Sequence, residues 1–228
     1  MTRCLPNMSP FAMKLEMWLR MNDIPHEVID HIGFSRKKQS PFVMFNEEEI
    51  PDSNFIVETL ATYFNKELYP SVSPELKAVG ISFLKMVEEN SIWTIFLYRH
   101  VHHQADYKKY VRYNEVDEVN EAIGADIGNN LKDRAWKHGI GRHSNEEIYK
   151  IGCDDVRAIS NFLGTKTYFL GDFPTLIDCT LFGFLTQITC VPMDFPMMQV
   201  IREECPNILD YVDRLKVQFW PHWDDQKI

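Results

Sequence analysis

The sequence predicts an α/β amino-terminal unit over residues 1–65 and an all-helical unit over residues 74–228. Three observations carry this. Residues 9–64 switch between helical and strand periodicity, whereas beyond Tyr69-Pro70 nearly every apolar run keeps the helical period. The 228 residues are 45% hydrophobic and 25% charged, with 10 Gly and 12 Pro, which is globular composition with neither a low-complexity tract nor an internal repeat. That length accommodates one large or two small domains, each with its own core.

The first element is marked by Ser9-Pro10, an N-cap followed by a proline at the first helical position, with Phe11, Leu15, Trp18 and Leu19 at helical spacing and an end near Asn22-Asp23. After Pro25, residues 26–32 read as a short extended run, and Gly33 to Ser40 as a loop holding Arg36, Lys37 and Lys38. Pro41 leads into Phe42-Val43-Met44-Phe45, an acidic turn from Asn46 to Glu49 and Ile50, a hairpin pattern. Asp52-Ser53 then opens a helix through Ile56, Leu60 and Phe64. Residues 66–73 read as linker. In the second unit Ser73-Pro74 starts a helix with Leu76, Val79, Phe83 and Val87 on one face, and another helix is expected from about Glu115 to Trp136. Ser144 and Glu147 form a capping box for a helix ending at Leu163-Gly164, and Thr175 and Asp178 repeat that logic ahead of Leu181, Phe182 and Leu185.

Composition also excludes. A net charge of −9 with no basic run longer than Arg36-Lys37-Lys38 argues against nucleic-acid and anionic-membrane binding, both of which need clustered positive charge. The five cysteines (Cys4, Cys153, Cys179, Cys190, Cys205) are odd in number and widely spaced, unlike a disulfide framework. Asp178, Gln187 and Pro192 interrupt the longest apolar candidate for a membrane span, and Lys14 and Glu16 fall where a signal peptide would be apolar. A cytoplasmic protein is expected. His100, His102 and His103 with Asp106 invite a metal reading, but their spacings do not share one helical face and no remote ligand is evident, so no metal is expected.

Ser9, Pro41 and Asp52-Ser53 are each unremarkable alone: a helix cap, a turn proline, another cap. Lys37 and Lys38 alone are a solvated loop. In this order and spacing they resemble the glutathione transferases, whose omega class has Cys-Pro-Phe-Ala where this chain has Ser9-Pro10-Phe11-Ala12. The resemblance implies a thioredoxin-like first unit with a cis proline at Pro41 and a site for reduced glutathione as cosubstrate, with no other cofactor. Ser40 would pair through its backbone with the cysteinyl part of the tripeptide, and Ser53 with the free amides of its helix would hold the γ-glutamyl carboxylate. Asp52 would attract the adjacent ammonium, and Lys37 or Lys38 the glycyl carboxylate. Ser9 would donate a hydrogen bond to the sulfur and favour thiolate. Cys4, an alternative thiol, stands five residues before Ser9. Trp93, Phe96 and Tyr98 either line a pocket for a small electrophile between the units or belong to the core.

From Leu5-Pro6-Asn7-Met8-Ser9-Pro10-Phe11 through Lys14-Leu15-Glu16, Trp18 to Met21, Asp52-Ser53, Phe169 to Asp178 and Cys205-Pro206-Asn207 to Pro221-His222-Trp223-Asp224, the chain resembles the failed axon connections family. This transferase-fold group is related to metaxins and to nematode cadmium-responsive proteins. Members begin with a strand before Leu-Pro-Asn. Only Met1 to Asn7 stand there in this chain, so that strand is expected to be short or truncated. Metaxin-type membrane anchoring is not implied, since no hydrophobic tail follows Trp223. Two functions are thus expected in competition. One is a detoxifying transferase that binds glutathione and passes its thiolate to electrophiles or mixed disulfides. The other is a non-catalytic scaffold with a protein partner and a role in axon development. A homodimer is compatible with either.

Overall fold

The computed structural model describes residues 4–29, 33–111 and 117–223. Helix α1 (Pro10–Met21) starts where Ser9 caps it, the Ser9 hydroxyl oxygen accepting from the Ala12 amide at 3.3 Å. Strands β1 (Phe42–Phe45) and β2 (Glu48–Pro51) pair antiparallel with Phe45 opposite Glu48, which leaves a two-residue turn. Both turn residues, Asn46 (φ 49°) and Glu47 (φ 68°), are left-handed, the conformation that matches strand twist in tight hairpins. The expected acidic turn is therefore shorter than read, with Glu48 and Glu49 in the strand. Helix α2 (Ser53–Tyr63) follows immediately.

Neither expected early strand is assigned among the described residues; residues 1–3, where the first was expected to begin, lie outside them. Residues 4–9 make bends and no strand: Pro6 has no amide to donate to a ladder, and the Asn7 side chain accepts from the Ser9 amide at 2.8 Å, closing a local turn instead. Leu5 is fully buried in the core as an anchor. The extended run after Pro25 also forms no strand over 26–29, where Val28 and Ile29 are exposed; residues 30–32 lie outside the described residues. Among the described residues the sheet has two strands.

The helical unit begins with α3 (Pro74–Lys85), capped by Ser73, and continues through a π segment (Met86–Ser91), α4 (Ile92–Leu97) and a second π segment (Tyr98–His102) into α5 (Gln104–Tyr107). The π segments are not legible in the apolar periodicity. Each inserts a residue into the turn, as in the bond from the His103 amide to the Tyr98 carbonyl, and so re-aims the side chains it carries. Helix α6 (Asp117–His138) covers most of the expected 115–136 span, with 115 and 116 outside the described residues. Helix α7 (Asn145–Leu163) has the Ser144–Glu147 capping box, and Gly164 (φ 55°) ends it. Helices α8 (Leu176–Thr189), α9 (Pro196–Glu204) and α10 (Asn207–Phe219) complete the unit.

Helix α8 is buried from Leu176 to Ile188 and forms the centre of the core. Helix α1 lies directly on it. A β-carbon at Gly183 would stand 2.3 Å from the Pro10 carbonyl oxygen, so only glycine allows this approach. The close crossing brings the start of α1, and with it Ser9, against the helical unit.

Candidate functional site

Ser9 is half-buried at the positive end of α1. Its oxygen accepts from Ala12 while its hydroxyl hydrogen remains available to donate, which is the arrangement a sulfur acceptor needs. The segment leading to it is gripped from behind by two residues of the helical unit that the sequence reading did not identify. Arg99, fully buried in the second π segment, donates to the Gln187 side chain and carbonyl, both at 2.8 Å, and to the Met8 carbonyl at 3.4 Å. Gln187, also fully buried, donates to the Asn7 carbonyl at 3.2 Å.

The second cluster sits where α2 begins. The Ser40–Pro41 peptide is cis, with Ser40 exposed. Asp52 adopts φ 75°, and its Oδ1 accepts from the amides of Asn54 (2.9 Å) and Phe55 (3.4 Å). Two of the amides at this helix start, those of Asn54 and Phe55, are thus engaged by Asp52 itself as the N-cap. Asp52 Oδ2 accepts from Gln39 Nε2 at 3.2 Å, which ties the loop before Ser40 to the start of α2. Ser53, buried beside it, makes no side-chain hydrogen bond among the described residues. Lys37 and Lys38 are exposed on a turn closed by the Lys38 amide donating to the Ser35 carbonyl; no contact ties them to Ser53 or Ser9.

A buried polar triad joins α1, α2 and the first π segment. Lys14 Nζ, 1% exposed, lies 2.6 Å from both Glu88 Oε1 and Asn54 Oδ1, and Asn54 Nδ2 donates to Glu88 Oε2 at 2.7 Å. Pro10, Phe11, Val87, Ile92, Thr180 and Phe184 join Lys14 and Glu88 around a narrow cleft between the units. A signal for Lys14 existed in the sequence: it interrupts an apolar helical stripe at Phe11 and Trp18, where a solvated lysine does not belong.

The aromatics proposed for an electrophile pocket do not line this cleft. Trp93 packs edge-on against Phe96 and beside His138, and Phe96 touches Phe11 across the units. Tyr98 donates to the Asp194 carbonyl at 2.7 Å and stacks on His103. The histidines diverge likewise. His102 Nδ1 lies 2.8 Å from the Tyr149 hydroxyl, and His100 packs edge-on against Tyr107 and Phe96.

Burial and, second, the neighbouring Arg99 push His100 from the ordinary 6.5 down to about 3. The unfolded chain therefore binds a proton that the folded chain refuses between those values. His100's contribution to stability is complete above pH 6.5 and is lost as pH falls toward 3. Stability against urea is expected to fall with acidification across this window by up to about 1.4 kcal/mol per pH unit from this one site, and His100→Gln to reduce that slope. An unchanged slope in the variant would assign the effect to other groups.

Comparison with known proteins places this architecture. Family models described as glutathione S-transferase N-terminal domain and glutathione S-transferase C-terminal domain match residues 10–105 and 152–215. The chain has the glutathione S-transferase fold. Within that class it is similar to failed axon connections of Drosophila melanogaster, with 34% identity over 98% of its own length and 57% of that protein's. The chain thus spans little more than half of that relative. It is 25% identical to isoprene-epoxide–glutathione S-transferase of Rhodococcus sp. (strain AD45), over 94% of both chains. A solved glutathione S-transferase from Methylobacterium radiotolerans, in complex with glutathione sulfonate, superposes with a TM-score of 0.64 at 15% identity, covering 96% of this chain and 90% of that one. Among the described residues no helix is long and apolar enough to cross a membrane.

Proposed function

We propose that the protein binds reduced glutathione and transfers its thiolate to small electrophiles or mixed disulfides, as a cytoplasmic detoxifying or stress-response enzyme. The observation that supports this best is the Gln39–Asp52 hydrogen bond, which joins the Ser40-Pro41 loop to the start of α2 beside the unpaired Ser53 hydroxyl. In this reading the Ser53 hydroxyl takes the γ-glutamyl carboxylate, and Asp52, though engaged as a cap, supplies negative charge for the ammonium. Ser40 offers backbone groups to the cysteinyl part, and Lys37 or Lys38 reaches the glycyl carboxylate. Ser9 donates to the sulfur, whose proton passes to solvent. The sulfur lone pair then forms a carbon–sulfur bond while the leaving group departs, or an epoxide opens and its oxygen takes a proton. With a mixed disulfide the same thiolate attacks one sulfur and releases the other as thiol. The Rhodococcus relative is an isoprene-epoxide–glutathione S-transferase, which makes epoxides the electrophile class to test here.

A second reading, the non-catalytic scaffold with a role in axon development, is favoured by a specific observation: the start of α2 is capped by its own Asp52, and residues 4–9 supply no strand beneath the site. One experiment separates the two. Calorimetric titration of glutathione is expected to show binding at millimolar ligand or below, with conjugation of 1-chloro-2,4-dinitrobenzene above background. Ser53→Ala should weaken binding by about tenfold or more, the loss of one hydrogen bond to a charged group. Ser9→Ala should spare binding and lower kcat. Wild-type protein that neither binds nor turns over would leave the scaffold.

A further inference from the structure

We propose that Arg99 and Gln187 are positioning residues for Ser9, holding the carbonyls of Asn7 and Met8 so that the Ser9 hydroxyl meets the glutathione sulfur; this rests on the transferase reading above.

Residues 4–9, which lead into α1, are bends. Side chains hold the two carbonyls that precede Ser9. The Asn7 side chain accepts the Ser9 amide at 2.8 Å, which couples the orientation of Asn7 to that of Ser9. The Asn7 carbonyl is in turn held by Gln187 Nε2, and the Met8 carbonyl by Arg99 Nη1. Gln187 is itself oriented by Arg99, whose two terminal nitrogens grip its side-chain oxygen and its carbonyl. A planar guanidinium fork fixes direction as well as distance, which a lysine ammonium does not.

The guanidinium is locked in its own turn. Its carbon stands 5.3 Å from the centre of the Tyr107 ring and 5.6 Å from that of Phe195. Arg99 also lies in a π segment, the local irregularity that turns a helical side chain toward a neighbouring unit. The helical unit thus reaches through two fully buried polar side chains to the one loop that carries the proposed sulfur donor. Positive charge behind the Met8-Ser9 peptide adds to the field at the start of α1, in the direction that favours thiolate.

The test uses wild type, Arg99→Met, Arg99→Lys and Gln187→Glu. Gln187→Glu keeps an oxygen for Arg99 and removes the donor to Asn7, so it remains informative if Arg99→Met fails to fold. The first arm needs no ligand: hydrogen exchange at the amides of Ser9 and Ala12 should accelerate in Gln187→Glu while α10 stays protected. In the second arm, thiolate absorbance of bound glutathione is followed against pH. The variants should raise the sulfur's apparent pKa by about one unit, a tenfold loss of thiolate, and lower kcat about tenfold with glutathione affinity little changed. Arg99→Lys should recover only part of this. Folded variants with unchanged exchange at Ser9, or an unchanged thiol titration and kcat, overturn the inference. If wild type does not bind glutathione, the transferase reading fails; altered exchange at Ser9 would then show that the positioning contact survives it.

Discussion

Asp178→Ala is expected to leave little folded protein. Asp178 is fully buried, and its carboxylate accepts from four donors: the Phe169 amide at 2.7 Å and the Tyr211 hydroxyl at 2.6 Å on Oδ1, the Thr175 amide at 2.8 Å and the Thr175 hydroxyl at 3.0 Å on Oδ2. Burial pushes the carboxyl up from its ordinary value, and the four donors pull it the other way. Alanine would remove every acceptor at once while leaving two amides and a phenol away from water. Each such group costs about 1–3 kcal/mol, so the total is about 3–9 kcal/mol, a large part of the 5–15 kcal/mol that holds a typical domain. Asp178→Asn keeps the shape but turns an NH2 group toward donors, so an intermediate loss is expected. Urea unfolding of both variants checks this, and an alanine variant within about 1 kcal/mol of wild type would refute the capping account.

The contrast between what was and was not legible in the sequence has a physical origin. Thr175 and Asp178 were legible because a capping box is local: three residues apart, both partners stand in one turn. The same holds for Ser9-Pro10, Ser144–Glu147 and the hairpin. Whether Val28 and Ile29 sit in a strand was not legible, because a ladder depends on a neighbouring segment and not on local pattern; among the described residues 26–29 form none. The π segments escaped for a related reason: one inserted residue barely disturbs an apolar stripe. Their consequence is large, since they carry Glu88 toward Lys14 and Arg99 toward Met8. Of the candidate site, the residues at element starts were legible. The residues that hold them lie 40 to 180 positions away, as Asn54 does from Lys14 and Gln187 from Asn7, and no local pattern connects them.

Lys14→Met is expected to destabilise the fold by about 3–5 kcal/mol, because it strands the Glu88 carboxylate, 6% exposed, with Asn54 alone. Glu88→Leu should do comparable damage by stranding the ammonium. The double variant should be far less harmful than the two losses added, since two apolar side chains in a cleft lined by Phe11, Val87, Ile92 and Phe184 bury well. A coupling of at least about 2 kcal/mol in the double-mutant cycle is expected, and simple additivity would sink the claim that the pair acts as one unit. The cycle also asks why such a pair is kept when an apolar replacement suffices for stability. Asn54, which both charges hold, is the neighbour of Ser53 at the start of α2. If the pair serves to set that start, the double variant regains stability but still binds glutathione more weakly than wild type. Recovery of both stability and binding would reduce Lys14 and Glu88 to packing.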